Sequence, residues 1–161
     1  MRKIALAITF MFFIPTAYAN IIFNEIMSNP IYDESLNEWV ELYNPLDHAQ
    51  DISGWALYKE STPGSDIFNT SFFTFPDGFI VDPYDHVLVA DDGTLPPWLP
   101  TPDGIGSVTV LYNTGDGIAL VDTYLTIVDA VGWNQVEDFS YYEGDPYPPG
   151  IPDGYSIERL D

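Results

Sequence analysis

The sequence contains no cysteine and very little positive charge. Only 4 lysine and arginine residues accompany 25 acidic residues, which gives a formal net charge of −21 at pH 7. Without cysteine no disulfide can stabilise the chain, so its fold depends on a hydrophobic core or on bound metal. The negative field repels phosphate backbones and anionic membrane surfaces, so we do not expect nucleic acid as a partner.

The first residues have the layout of a secretory signal peptide. Two bases precede an apolar run over residues 4–14, and the small residues Ala17 and Ala19 fit a signal-peptidase site. The run is too short for a transmembrane helix, which needs about 20 apolar residues. We therefore predict a signal peptide over residues 1–19 and one domain over residues 20–161. That domain would be secreted, periplasmic or held at the cell surface, with no membrane span after cleavage.

Alternation of apolar and polar residues with a period of two dominates residues 20–161 and is typical of half-buried strands. Turn residues separate these segments, and none carries a helical stripe. Short strands joined by turns indicate an all-β protein built as a β-sandwich. The strand at residues 86–90 is apolar at its centre, so we expect burial on both of its faces. The predicted strands are 20–27, 38–43, 54–58, 72–75, 78–81, 86–90, 108–112, 117–121, 125–131 and 155–159.

Six segments of the chain carry short motifs, at residues 22–30, 38–44, 51–57, 113–120, 127–133 and 154–159. In this order they resemble the motifs of the lamin tail domain family as it occurs in secreted prokaryotic proteins. The resemblance covers nearly all of residues 20–161 and implies an immunoglobulin-like β-sandwich. It also implies a non-catalytic module that serves binding, adhesion or structural roles outside the cytoplasm.

The chain offers few groups for catalysis. His48 and His86 are its only histidines, and neither lies in the spacing of a zinc-protease motif. P-loop, dinucleotide-binding and serine-hydrolase motifs are absent as well. We therefore predict that the protein is not an enzyme.

Two other functions stay open, and the sequence does not say whether the partner is a protein or a polysaccharide. The first is an accessory protein of a secreted nuclease or phosphoesterase, or a small hydrolase. The second is a polysaccharide-binding module, in which Trp98 and the aromatic residues within 139–149 would stack on sugars.

Two loops carry clustered oxygen ligands of the kind that calcium prefers. Neither loop matches the spacing of an EF-hand, and the alternative is that both are simply hydrated acidic loops. Calcium is the one cofactor that this pattern suggests. The candidate ligands are Asp33, Glu34, Asn37, Glu38, Asp91 and Asp92.

We predict structural roles for residues 51–55 and for Arg159. Asp51 should accept hydrogen bonds in a turn that Gly54 closes, and Trp55 should then be buried in the core. Lys59 and Arg159 are the only bases within residues 20–161. We expect Arg159 to form a bidentate pair with a strand carboxylate such as Glu25 or Glu41.

Overall fold

The computed structural model describes residues 20–30, 37–59, 71–91, 99–108, 111, 116–133 and 152–159. Within these ranges the chain forms strands and turns and has no α-helix. The strands are β1 (Ile22–Met27), β2 (Trp39–Tyr43), β3 (Gln50–Asp51), β4 (Ala56–Lys59), β5 (Ser71–Thr74), β6 (Ile80–Val81), β7 (His86–Ala90), β8 (Gly104–Ile105), β9 (Asp116–Val121), β10 (Ile127–Trp133) and β11 (Ile157–Glu158).

Two larger sheets form the body of the domain. One has the strand order β11-β1-β2-β7-β8 and the other the order β10-β9-β4-β5, while β3 and β6 form a separate pair. Neighbouring strands are antiparallel except β7 and β8. Side chains from both larger sheets meet in one buried cluster, which confirms the predicted immunoglobulin-like β-sandwich. That main core includes Phe23, Ile26, Val40, Leu42, Val89, Leu57, Ile118, Leu120 and Trp133.

The alternation of the strands decides which side chains enter the main core. On β7, Val87 and Val89 point into it, whereas Leu88 and Ala90 point to the opposite face of the sheet. A second apolar cluster covers that face, and Leu99 packs against it. The prediction that β7 is buried on both faces is therefore confirmed.

Most predicted strands are present, with ends shifted by one or two residues. The strand predicted at 108–112 is wrong where the structure describes it, because Leu111 donates a backbone hydrogen bond to Val108 (3.2 Å) in a turn. Residues 109, 110 and 112 lie outside the described residues. Strands β3 and β8 were not predicted, since two residues are too few to show a period.

The predicted turn at Asp51 is confirmed. Asp51 Oδ1 accepts hydrogen bonds from the backbone N–H (2.9 Å) and the hydroxyl of Ser53. Gly54 follows with a φ of +74°, a conformation that favours glycine. A Cβ at Gly54 would also lie 3.0 Å from Cγ2 of Thr123, so this turn packs closely on the β9–β10 hairpin.

Trp55 differs from its prediction. It is only partly buried and packs against the edge of the main core, whereas Trp133 is fully enclosed. Trp55 lies between the turn and the start of β4. Its exposure is therefore set by the turn and not by the alternation of a strand.

Candidate functional site

Strand register gives the sandwich two distinct ends. Tyr43 pairs with His86 at one end of the first sheet, and Trp39 pairs with Ala90 at the other. We call the first the loop end, and it consists of residues 44–48, 51–54, 76–85 and 122–126. The opposite end holds a buried charge cluster, which consists of Glu38, Lys59, Asp91 and Asp116.

The residues of the buried charge cluster occupy inward-facing positions at the ends of four strands. Glu38 immediately precedes β2 and Asp91 immediately follows β7, and the Asp91 N–H donates to the Glu38 carbonyl (3.2 Å). On the facing sheet, Lys59 pairs in register with Ile118, and Asp116 lies two residues from Ile118 on the same face. The alternation that carries apolar residues into the core thus carries these four charged residues inward as well.

An ion pair joins the two strands of the second sheet within this cluster. Lys59 Nζ lies 3.0 Å from Asp116 Oδ2, and the two side chains are 4% and 0% exposed. The other oxygen of Asp116 accepts a hydrogen bond from the Gly117 N–H (2.9 Å). Both charges have therefore left water, which costs several kcal/mol per ion before their attraction offsets it.

Glu38 has an unusual protonation equilibrium. Burial raises the pKa of Glu38 from its ordinary 4.5 to about 8. The hydrogen bond from the Leu111 N–H (3.3 Å) and the charge of Lys59 lower this pKa, and the nearby Asp91 and Asp116 raise it. Glu38 is consequently protonated at neutral pH and can donate or relay a proton.

A second ion pair lies along β1 and β10. Arg159 Nη2 donates to both carboxylate oxygens of Asp129 (3.0 and 2.8 Å), and Arg159 Nε donates to the Phe23 carbonyl (3.0 Å). The Phe23 N–H donates in turn to Asp129 (2.7 Å). The predicted pair of Arg159 with a strand carboxylate is confirmed, but the carboxylate is Asp129 on β10. The named partners are wrong, because Glu25 and Glu41 accept hydrogen bonds from neutral side chains instead.

The loop end exposes large apolar side chains. Tyr124 is 88% exposed, and Ile80, Tyr84 and Leu125 are each more than half exposed. Tyr84 and Leu125 have φ values of +59° and +61°, which are uncommon for bulky side chains. Strain of this kind is typical of functional surfaces.

Hydrogen bonds fix the turns that carry these side chains. Asp122 Oδ1 accepts from the N–H groups of Tyr124 and Thr126, both at 2.8 Å. Asn44 Nδ2 donates to the carbonyls of Val81 (3.1 Å) and Asp82 (2.9 Å), which anchors the turn before Tyr84. The exposed aspartates at this end are Asp47, Asp51, Asp77, Asp82 and Asp85.

The all-β sandwich is consistent with the comparison to known families. The family model of the Lamin Tail Domain matches residues 14–135. The chain belongs to the lamin tail domain family. This is a family of non-catalytic immunoglobulin-like domains. No curated protein matches the chain.

In this lamin tail domain, β11 lies beyond the matched residues and still completes the first sheet by pairing with β1. His48 lies in the loop end and contacts Asp47 at 3.0 Å, and His86 borders the loop end at the start of β7, where its ring stacks on Tyr43. No helix long and apolar enough to cross a membrane occurs among the residues that the structure describes.

The predicted calcium ligands fall into two groups. Asp33, Glu34 and Asp92 lie outside the described residues. Asn37, Glu38 and Asp91 are buried, whereas the alternative interpretation, that both loops are simply hydrated, required exposed side chains. In the part of the chain that the structure describes, no three acidic or histidine side chains are placed to hold a metal ion. Calcium binding stays a prediction, which melting temperatures with and without calcium at matched ionic strength would check.

Sequence reasoning missed Lys59 and Asp116 as members of the site. A signal for both was present, because Lys59 continues the inward positions of β4 after Leu57. Asp116 likewise precedes Ile118 and Leu120 on β9 with the same period of two. Reading that period through the charged residues would have placed both of them in the core.

Proposed function

We propose that this lamin tail domain is an exported, non-catalytic module that binds a partner protein through its loop end. The observation that carries the proposal is the set of exposed apolar side chains, Tyr84, Tyr124 and Leu125, presented by hydrogen-bonded turns. Tyrosine is enriched in protein interfaces because it offers a large contact area at a low cost in side-chain entropy.

The charge of the loop end indicates the chemistry of the partner. Exposed aspartates lie in the turns of the same end. Complementary charge speeds association and disfavours wrong partners. The partner surface should therefore be positively charged around an apolar centre.

Export is the second part of the proposal, and it rests on the sequence of residues 1–19. Two bases, a short apolar run and small residues before position 20 are the features that signal peptidases use. Protein recovered outside the cytoplasm should begin at Asn20 when its N-terminus is sequenced. A stable membrane-embedded form that retains Met1 would contradict export.

Paired substitutions at the two ends test the binding surface. Tyr124→Ser with Leu125→Ser should weaken binding to a panel of purified surface proteins by about tenfold or more, as loss of a central contact does. Ile105→Ser and Tyr155→Ser remove similarly exposed apolar side chains at the opposite end and serve as controls. Equal binding by both sets would contradict a binding surface at the loop end.

The alternative functions predict other outcomes in the same experiment. Polysaccharide binding that is lost on substitution of Trp98, which lies outside the described residues, would favour the carbohydrate module. Hydrolysis of esters or phosphodiesters by the purified protein would favour an enzyme and would overturn the proposal.

A further inference from the structure

The buried charge cluster is not used by the proposed function, and it holds an amine in contact with a carboxylate. Lys59 ends β4, Asp116 begins the adjacent strand β9, and Nζ lies 3.0 Å from Oδ2. Both side chains are enclosed in the interior, where water cannot compete for the carboxylate. An amine and a carboxylate in contact are the two groups that a condensation reaction joins into an amide.

We propose that Lys59 and Asp116 form an intramolecular amide bond that links β4 to β9, with Glu38 as the proton-transfer group. The bond would be a spontaneous covalent modification of the folded chain. It would give a protein that has no cysteine a covalent cross-link between strands.

The step balances without any further reactant. A proton first passes from Lys59 Nζ to Asp116 Oδ2, 3.0 Å away, which leaves a neutral amine beside a carboxylic acid. The amine then attacks Cγ of Asp116, one C–N bond forms, and the Cγ–Oδ2 bond breaks. Of the three ammonium protons, one remains on the amide nitrogen and two leave with the displaced oxygen as water. Glu38 takes a proton from the nitrogen and returns one to the leaving oxygen, so it is unchanged at the end.

Neighbouring groups support each part of this step. The Gly117 N–H donates to Asp116 Oδ1 and so fixes the carboxylate against Nζ. The same N–H is placed to stabilise negative charge on Oδ1 when the tetrahedral intermediate forms. Positioning of this kind replaces a bimolecular encounter, and in general it supplies much of the acceleration of such reactions.

Glu38 immediately precedes β2 on the facing sheet, and the charges of Lys59 and Asp116 both act on it. Burial keeps the pKa of Glu38 near 8, so the protonated carboxyl is present at neutral pH. A neutral carboxylic acid can give and accept a proton at once, which a carboxylate cannot. General acid–base catalysis by one such group contributes about 10²–10⁴-fold to a rate.

The interior also favours the product. A buried ammonium and a buried carboxylate both lose hydration, and their attraction does not always offset that loss. Condensation replaces the two formal charges with one neutral amide and releases water to the solvent. The Arg159–Asp129 pair cannot follow this route, because a guanidinium is no nucleophile.

Mass spectrometry of the purified full chain, denatured before measurement, tests the proposal. We expect an intact mass below the sequence mass by one water molecule, with allowance for signal-peptide removal. Proteolysis should release a branched peptide that contains Lys59 and Asp116. An intact mass equal to the sequence mass, with Lys59 and Asp116 in separate linear peptides, would overturn the proposal.

Three variants separate the amide from other losses of water. Cyclisation at Asp116–Gly117 also loses water, but it does not involve Lys59. In Lys59→Arg, which keeps the positive charge, the loss should disappear, and its persistence would overturn the amide. Asp116→Asn should lose ammonia and reach the mass of the wild type. Glu38→Gln should slow amide formation by about 100-fold or more, and an unchanged rate would remove Glu38 from the step.

Discussion

The two bases that remain within residues 20–161 form ion pairs of different kinds. Arg159 pairs with Asp129 at a site where the arginine side chain is 23% exposed, whereas Lys59 and its partner Asp116 are almost fully enclosed. Arg159 also bonds the Phe23 carbonyl, and its pair therefore closes the contact between β1 and β10. Lys59 instead lies in a cluster with an excess of carboxyl groups.

The comparison shows how the same opposite charges can have different roles. A guanidinium offers several donors in a fixed plane, so Arg159 donates to the Asp129 carboxylate and to a backbone carbonyl together. The pair therefore stabilises the fold. The Lys59 ammonium is a point charge whose neutral form is nucleophilic. Lys59 is enclosed with a carboxylate and a protonated acid, so we expect it to react. Arg159 is not a nucleophile, so we expect its ion pair only to stabilise the fold.

The largest expected effect comes from breaking the enclosed pair. Asp116→Ala removes the carboxylate partner from a buried ammonium and removes any cross-link to it. The free energy of unfolding should fall by about 3–5 kcal/mol, as it does when one partner of a buried pair is lost. Urea denaturation monitored by tryptophan fluorescence measures it. Asp77→Ala, at an exposed turn, is the control and should change stability by less than about 0.5 kcal/mol.

A pH series probes the same cluster through Glu38. Because the folded-state pKa of Glu38 is raised from 4.5 to about 8, the folded chain keeps a proton that the unfolded chain loses. This contribution is fully present below pH 4.5 and is lost as the pH rises towards 8, at up to about 1.4 kcal/mol per pH unit. Above that range it changes no further.

Glu38→Gln isolates this contribution, because glutamine does not titrate. The stability of the wild type should fall more steeply than that of Glu38→Gln between pH 4.5 and 8, with parallel curves above. Denaturation midpoints measured across this range check the difference in slope. Parallel curves throughout the range would mean that Glu38 is not enclosed.

A smaller effect is expected from the more exposed pair. Arg159→Met keeps the apolar stem but removes the hydrogen bonds to Asp129 and to the Phe23 carbonyl. The free energy of unfolding should fall by about 2 kcal/mol, the usual scale for hydrogen bonds to a charged group. A loss as large as that of Asp116→Ala would erase the distinction between the two pairs.

Local patterns in the sequence predicted much of this fold. The features that these patterns did not predict depend mostly on pairings between residues far apart in the sequence. Alternation predicted β2 and β9, a short apolar run predicted β7, and turn chemistry predicted the bend at Asp51. The partner of Arg159 was missed because β10 is irregular between Ile127 and Asp129, which shifts the alternation and turns Asp129 inward. A single sequence does not show that shift.

The charged members of the site were missed for a related reason. Strand alternation indicates that Lys59 faces inward, but it does not indicate which strand of either sheet faces it. The proximity of Glu38 to Lys59 depends on how the two sheets pack, which local periodicity does not specify. The calcium hypothesis followed acidic residues along the chain, whereas the structure groups acids from different strands around a lysine.

Acylation of Lys59 tests most directly whether Lys59 and Asp116 form an amide or only an ion pair. Lys59 is the only lysine within residues 20–161, so its label is simple to assign. The protein is treated with an amine-acylating reagent when folded and again in guanidinium, and peptides are mapped by mass spectrometry. We expect no label on Lys59 in either state, because the nitrogen is enclosed when the protein is folded and remains bonded to Asp116 when it is unfolded. Label that appears only in guanidinium would leave a buried ion pair without the amide. Label on Lys59 in the folded protein would contradict the enclosed cluster altogether.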